Sequence, residues 1–211
     1  MLETEALAYW FFRLNGCTTI VNFLVHHERA GREGTEVDIL AVRFPFRKEL
    51  ALSGQPMEDH PLFEAGDRID IVIAEVKRGR CELNGPWTDP TKQNMHRVLY
   101  AIGVIPEPHV TAVAQALYDP GSYSDDQCRI RLFAIGEREN PNLAPQIVQL
   151  CWQDILAFIL DQLWRYARVK AQHRQWDETG KELYHEVMLH GSRDGFVQCV
   201  MKHLIEERYG D

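Results

Sequence analysis

The stretch Asp70-Ile71-Val72-Ile73-Ala74-Glu75-Val76-Lys77 decides how the rest of this 211-residue chain is read. Through Val76 it has the apolar, β-branched pattern of a central strand covered on both faces. A carboxylate and an ammonium then stand two positions apart at its C-terminal end. Side chains alternate along a strand, so Glu75 and Lys77 share a face while Val76 takes the other. Charges at the rim of a dry core are costly unless something compensates them. A divalent cation held by Glu75 and a second carboxylate, with Lys77 turned toward a substrate, would do so.

The bulk numbers fit that setting. With 45% hydrophobic and 26% charged residues the chain is globular and long enough to bury a sizeable core. A net charge of −8 argues against a protein that coats nucleic acid, yet allows basic groups to line one cleft. Cys17, Cys81, Cys128, Cys151 and Cys199 are odd in number and contain no C-x-x-C pair. They read as free thiols in a reducing compartment. The start, Met1-Leu2-Glu3-Thr4-Glu5, lacks a signal-peptide pattern, and the apolar run from Ile155 to Leu163 is too short and too interrupted to span a bilayer. These features predict a soluble, cytoplasmic protein with no membrane association.

Outward from the central strand, the chain reads as a mixed α/β core, residues 1–150, followed by a helical C-terminal extension, residues 151–211, packed on that core. Glu5 to Leu14 is a helix, apolar almost all round and stopped by Asn15-Gly16. Thr18 to Val25 and Val37 to Phe44 are strands, with the polar segment His26 to Glu36 between them. In the second strand Asp38, Leu40, Val42 and Phe44 are assigned to one face and Val37, Ile39, Ala41 and Arg43 to the other. Pro45 to Arg68 is a long insertion. After the central strand and a loop from Gly79 to Trp87, Asp89-Pro90 opens a helix to about Ile102, closed by Gly103. Val110 to Leu117 is a short helix, Arg129 to Ile135 a strand and Ile147 to Leu150 an edge strand. A long amphipathic helix follows from Trp152 to about Ala171, its core face carrying Trp152, Phe158, Leu163, Trp164 and Tyr166. Two more helices run from Lys181 to Leu189 and, after Ser192, from Phe196 to Arg208.

Antiparallel pairing of the second and central strands would bring the start of one to the end of the other. Asp38 would then meet Glu75 and Lys77. Asp38, Glu75 and the backbone carbonyl of Val76 supply the hard oxygen ligands that Mg2+ or Mn2+ takes, with a scissile phosphate oxygen and waters completing the shell. Lys77 would assist the attacking water and balance developing negative charge. The histidines form no H-x-x-x-H or H-E-x-x-H pair, so no zinc site is expected from spacing. Arg165, Arg168, Lys170 and Arg174 form a basic run that reads either as a solvated face or as a phosphate-contacting strip.

This order of parts resembles the PD-(D/E)XK nuclease superfamily, the restriction-endonuclease-like fold. The resemblance rests on Glu5, on the Asp38 of Gly34-Thr35-Glu36-Val37-Asp38, and on Glu75-Val76-Lys77, and spans residues 5 to 135. The Glu5-x-x-Ala8 helix ending at Gly16, followed by a strand, is similar to the opening of resolvase-like members. It implies a metal-dependent phosphodiesterase with Asp38, Glu75, Lys77 and a supporting acid Glu5 in the site. Glu5 also reads as a helix-start carboxylate favoured by the helix dipole, a place for which Glu3 competes. DNA is the implied partner, with room for a homodimer or a regulatory partner; the alternative is a non-catalytic nucleic-acid-binding or assembly module of the same fold. Val37 departs from the proline of the motif name, and Arg97 stands where a Gln93-x-x-x-Tyr pattern would need tyrosine.

Overall fold

Helix α1, Thr4–Leu14, places Leu7, Ala8, Trp10, Phe11, Phe12 and Leu14 out of solvent, which explains why its sequence is apolar almost all round. It ends at Asn15, and Gly16 turns the chain with φ +71°, a conformation that suits glycine. The structure, a computed structural model, describes residues 3–29, 34–54, 56–63, 66–171 and 176–206.

After α1 the chain builds an antiparallel meander of β1, Thr18–Val25, β2, Thr35–Arg43, and β3, Ile69–Val76. Strand β5, Cys128–Gly136, lies parallel to β3 along its whole length. Beside β5 run β4, Ser122–Ser124, antiparallel, and β6, Val148–Cys151, parallel. The result is a six-stranded mixed sheet in the order β1-β2-β3-β5-β4, with β6 also on β5. Central placement explains the continuous apolar run of β3, every residue of which from Asp70 to Val76 is buried.

Helices cover both faces. Helix α2, Gly85–Thr88, α3, Asn94–Ile102, and α4, Glu107–Tyr118, contribute Trp87, Met95, Leu99, Val113 and Leu117 to a cluster over Ile71, Ile73, Ile130 and Leu132. On the opposite face α1 shares a cluster with α5, Trp152–Arg165, α7, Glu178–His190, and α8, Arg193–Glu206. The described C-terminal helices therefore complete the same core that α1 and the sheet begin. No described helix is long and apolar enough to cross a membrane.

Several local expectations are corrected. The helix expected from Pro90 breaks: Pro90–Lys92 is a 3-10 turn, Gln93 takes φ +56°, and only Asn94–Ile102 is α-helical. The long C-terminal helix ends at Arg165, with α6, Ala167–Lys170, as a separate turn, and Trp164 lies on the exposed side. Among the described residues the basic run does not form one strip. Arg165 pairs with Glu58 and Asp161, Lys170 is buried, and Arg174 lies outside the described residues. The insertion before β3 carries two 3-10 turns, Ala51–Ser53 and Pro61–Phe63, the second of which buries Phe63 in the core beneath α1.

The alternation in β2 also fails at one place. Ile39 and Ala41 face α1 while Leu40 and Val42 face α3, as expected; Val37 joins Leu40 rather than Ile39. The irregularity is centred on Asp38, which has no partner in the β1–β2 register, opposite Asn22 with φ +54°. The pairing skips one residue on each strand there, Asn22 and Asp38, and resumes in the same register at Phe23 and Val37.

Candidate active site at the open end of the β2–β3 pair

The β2–β3 ladder stops at Ile39 and Ala74. Past it, the Asp38 side chain takes over from the backbone: Oδ2 accepts the N–H of Val76 at 2.7 Å. The Lys77 N–H donates instead to Ile135 O at 2.9 Å, so the backbone groups of Lys77 face β5. Those of Val76 therefore face the other way, and its carbonyl lies on the same side as Asp38. Among the described residues Asp38 Oδ1 accepts no hydrogen bond.

Glu75 is 2% exposed and hydrogen-bonded at both oxygens. Oε1 accepts from Lys77 Nζ and from Asn84 Nδ2, and Oε2 accepts from the Trp87 indole at 2.6 Å. Neither Asn84 nor Trp87 is visible as a site residue from spacing. Asn84 is the N-cap of α2 and Trp87 lies within it, so a helix of only four residues delivers both donors to one buried carboxylate. The available signal was the Asn84-Gly85-Pro86-Trp87 turn, whose proline at the second position favours a helix start.

Lys77 keeps its ammonium at the rim, with its side chain 31% exposed, while its carbonyl accepts the Trp152 indole at 3.1 Å. Glu5, in the first turn of α1, accepts from Thr4 Oγ1 at 2.8 Å. It lines a cleft of about 350 Å³ with Glu3, Tyr9, Asn22 and Asp177. Burial pushes the Asp38 carboxyl up to about 6; the Val76 N–H and Lys77 pull it down, and Glu75 and Glu5 push it further up. The structure thus brings Glu5, Glu75 and Lys77 within electrostatic reach of Asp38. Glu5, Asp38 and Glu75 do not close into a group with all ligand atoms within 4.8 Å; among the described residues that closeness occurs only at Glu186, His190 and Cys199.

Immediately beyond Lys77 lies a cationic cleft of about 410 Å³, lined by Lys77, Arg78, Gly79, Arg80, Glu82 and Arg138. It exists because the chain leaving β3 pairs with the chain leaving β5. Cys81 N–H donates to Arg138 O at 2.9 Å, and Arg80 and Arg138 form a parallel bridge. Gly136 allows the approach, since a Cβ there would meet Gly79 O at 2.5 Å. Four cations line it; Lys77 pairs with Glu75 and Arg80 with Glu82 at 3.5 Å, which leaves the cleft locally cationic in a chain of net charge −8. No protein-family model matches this chain, and no curated protein or solved structure matches it significantly.

Gln93 lines a different groove, of about 1000 Å³, with Arg29, Pro86, Lys92 and Arg97 among its walls. Arg97 is held there by Glu28 at 2.9 Å.

Proposed function

We propose that this chain is a metal-dependent nuclease of the PD-(D/E)XK type, with a restriction-endonuclease-like fold, that hydrolyses phosphodiester bonds of DNA. The observation that carries the reading is the meeting of Asp38, Glu75 and Lys77 at one end of two antiparallel strands, with Glu5 nearby. The order of helix, antiparallel β1–β2–β3, helices and a parallel β5 agrees with what the resemblance implies and supports it.

The residues fit a hard divalent cation. Three carboxylates stand against one ammonium; burial raises the Asp38 carboxyl first, and the charges of Glu75 and Glu5 raise it further. Asp38 Oδ1, the Val76 carbonyl and Glu75 offer the hard oxygen ligands that Mg2+ or Mn2+ takes; Glu75 is buried, and Lys77 beside it is partly exposed. When bound, the ion would polarise the phosphoryl group and lower the pKa of a water. Asp38 is held in place by Val76, and Glu75 by Trp87 and Asn84. Lys77, turning from Glu75 Oε1, would orient the attacking water and balance negative charge developing on the phosphate. Glu5 is the supporting acid at the far wall. The cationic cleft next to Lys77 would take the neighbouring phosphates of the strand.

One observation favours a second reading, a non-catalytic nucleic-acid-binding or assembly module. Both Glu75 oxygens are already used by three donors, so the pair with Lys77 can be purely structural.

Cleavage of plasmid, linear duplex, single-stranded DNA and RNA with Mg2+ or Mn2+ separates the two readings. The wild type is assayed beside Asp38→Ala, Glu75→Ala and Lys77→Ala. The nuclease reading expects metal-dependent cleavage of DNA, lost in all three variants with the fold retained. Full activity in Glu75→Ala removes the mechanism. Nucleic-acid binding with neither cleavage nor metal binding selects the second reading.

A further inference from the structure

Helices α7 and α8 form a hairpin that turns at Gly191, φ +55°. Leu183 and Val187 from one helix, and Phe196, Val200 and Leu204 from the other, pack into the core shared with α1. That packing fixes which side chains meet away from the core. Glu186 and His190 are four residues apart on α7 and therefore neighbours on its surface. Cys199 reaches them from α8. His190 Nε2 lies 3.1 Å from Glu186 Oε2, and Cys199 Sγ lies 3.9 Å from the same oxygen. All three ligand atoms fall within 4.8 Å of one another.

We propose that Glu186, His190 and Cys199 form a zinc site that pins α7 to α8. The donor set is one imidazole nitrogen, one sulfur and one carboxylate oxygen, the mixture that borderline-soft Zn2+ takes and that Mg2+ does not. The distances are close to what such an ion needs. Zinc bonds of about 2.0 Å to nitrogen and oxygen and about 2.3 Å to sulfur, at tetrahedral angles, separate the ligand atoms by about 3.3 to 3.6 Å. The 3.1 and 3.9 Å separations lie within a few tenths of an ångström of that range. Small side-chain adjustments on a hairpin already held by its core would complete the geometry. Binding converts the Cys199 thiol to a zinc-bound thiolate, its proton passing to solvent. His203, one turn beyond Cys199, stands outside the group, so the fourth ligand is water.

The site lies on α7 and α8, not on the strands that Asp38, Glu75 and Lys77 occupy or adjoin, and does not depend on the nuclease reading. The test is cobalt titration of the purified full chain. One equivalent of Co2+ should produce a near-ultraviolet thiolate-to-cobalt charge-transfer band, removed by adding zinc. The band should be lost in Cys199→Ser and in His190→Gln and unchanged in Asp38→Asn. On the wild-type chain, zinc should slow alkylation of Cys199, mapped by mass spectrometry, by roughly tenfold or more, because the coordinated thiolate is no longer the free nucleophile. Absence of the band, its persistence in Cys199→Ser, or alkylation of Cys199 at the same rate with and without zinc would overturn the proposal. If Cys199→Ser does not fold, the alkylation result on the wild type decides.

Discussion

Asp38 Oδ2 accepts the backbone N–H of Val76 at 2.7 Å, across the gap where the β2–β3 ladder has already ended. A side chain of one strand thus replaces a ladder bond of the next. The contact ties the first carboxylate of the candidate site to the backbone between Glu75 and Lys77, leaving Oδ1 available.

That position has an electrostatic cost. The Asp38 carboxyl is pushed up to about 6 from 3.8, first by burial and further by Glu75 and Glu5. The folded chain holds this proton more tightly than the unfolded one. Its favourable contribution is therefore fully present below the unfolded value and is lost as pH rises through about 6. Asn at this position can still accept from Val76 and carries no charge. Asp38→Asn should therefore be more stable than wild type by roughly 1–3 kcal/mol at pH 8 and nearly equal to it at pH 4. Urea denaturation at the two pH values checks this; an equal difference at both would sink it.

Trp87 holds a buried carboxylate by a 2.6 Å hydrogen bond. Trp87→Phe removes the donor and part of the ring's packing while keeping an aromatic side chain. It should cost about 1–3 kcal/mol in stability. If Glu75 serves the chemistry, the same variant should also lower the cleavage rate with little change in DNA affinity. Unchanged stability would mean that Glu75 does not rely on the indole.

Arg80 and Arg138 sit side by side in the cleft beyond Lys77. Arg80→Ala and Arg138→Ala should each weaken DNA binding and lower the slope of log affinity against log salt by about 1. Thermal stability should barely move, because the Arg80 side chain is 44% exposed. Equal salt slopes for variants and wild type would place the strand elsewhere, the groove along Arg29, Lys92 and Arg97 being the next to test.

Gly180 joins the C-terminal helices to α1. A Cβ there would lie 2.0 Å from the Trp10 ring, whose indole donates to Asp177 at 3.0 Å. Asp177 also accepts the Gly180 N–H at 2.8 Å, capping α7. Gly180→Ala should cost at least about 1–3 kcal/mol by overpacking, read by thermal or urea unfolding. A neutral effect would mean that α7 can shift away from α1 at little cost.

Much of the frame was legible because burial writes directly into composition. The run from Ile71 to Ala74 is apolar on both faces because β3 has β2 and β5 beside it and helices above and below. The charges that interrupt such a run, Glu75 and Lys77, stand out for that reason. Asp38 followed from strand order alone once antiparallel pairing was assumed. Val37 defeated the same logic, because the irregularity at Asp38 shifts the alternation by one residue and no local pattern announces it.

The alternation of helix and strand, the buried central strand and the polar residues at its end are written in the order of residues, since each depends on local periodicity and on the cost of burying charge. Which groups those residues meet is settled by the packing of whole elements. Trp87 and Asn84 on Glu75, Arg80 beside Arg138, and Cys199 against Glu186 and His190 are contacts between segments separated by loops or turns. Their encounters depend on how whole elements pack, and packing leaves no spacing rule in the chain.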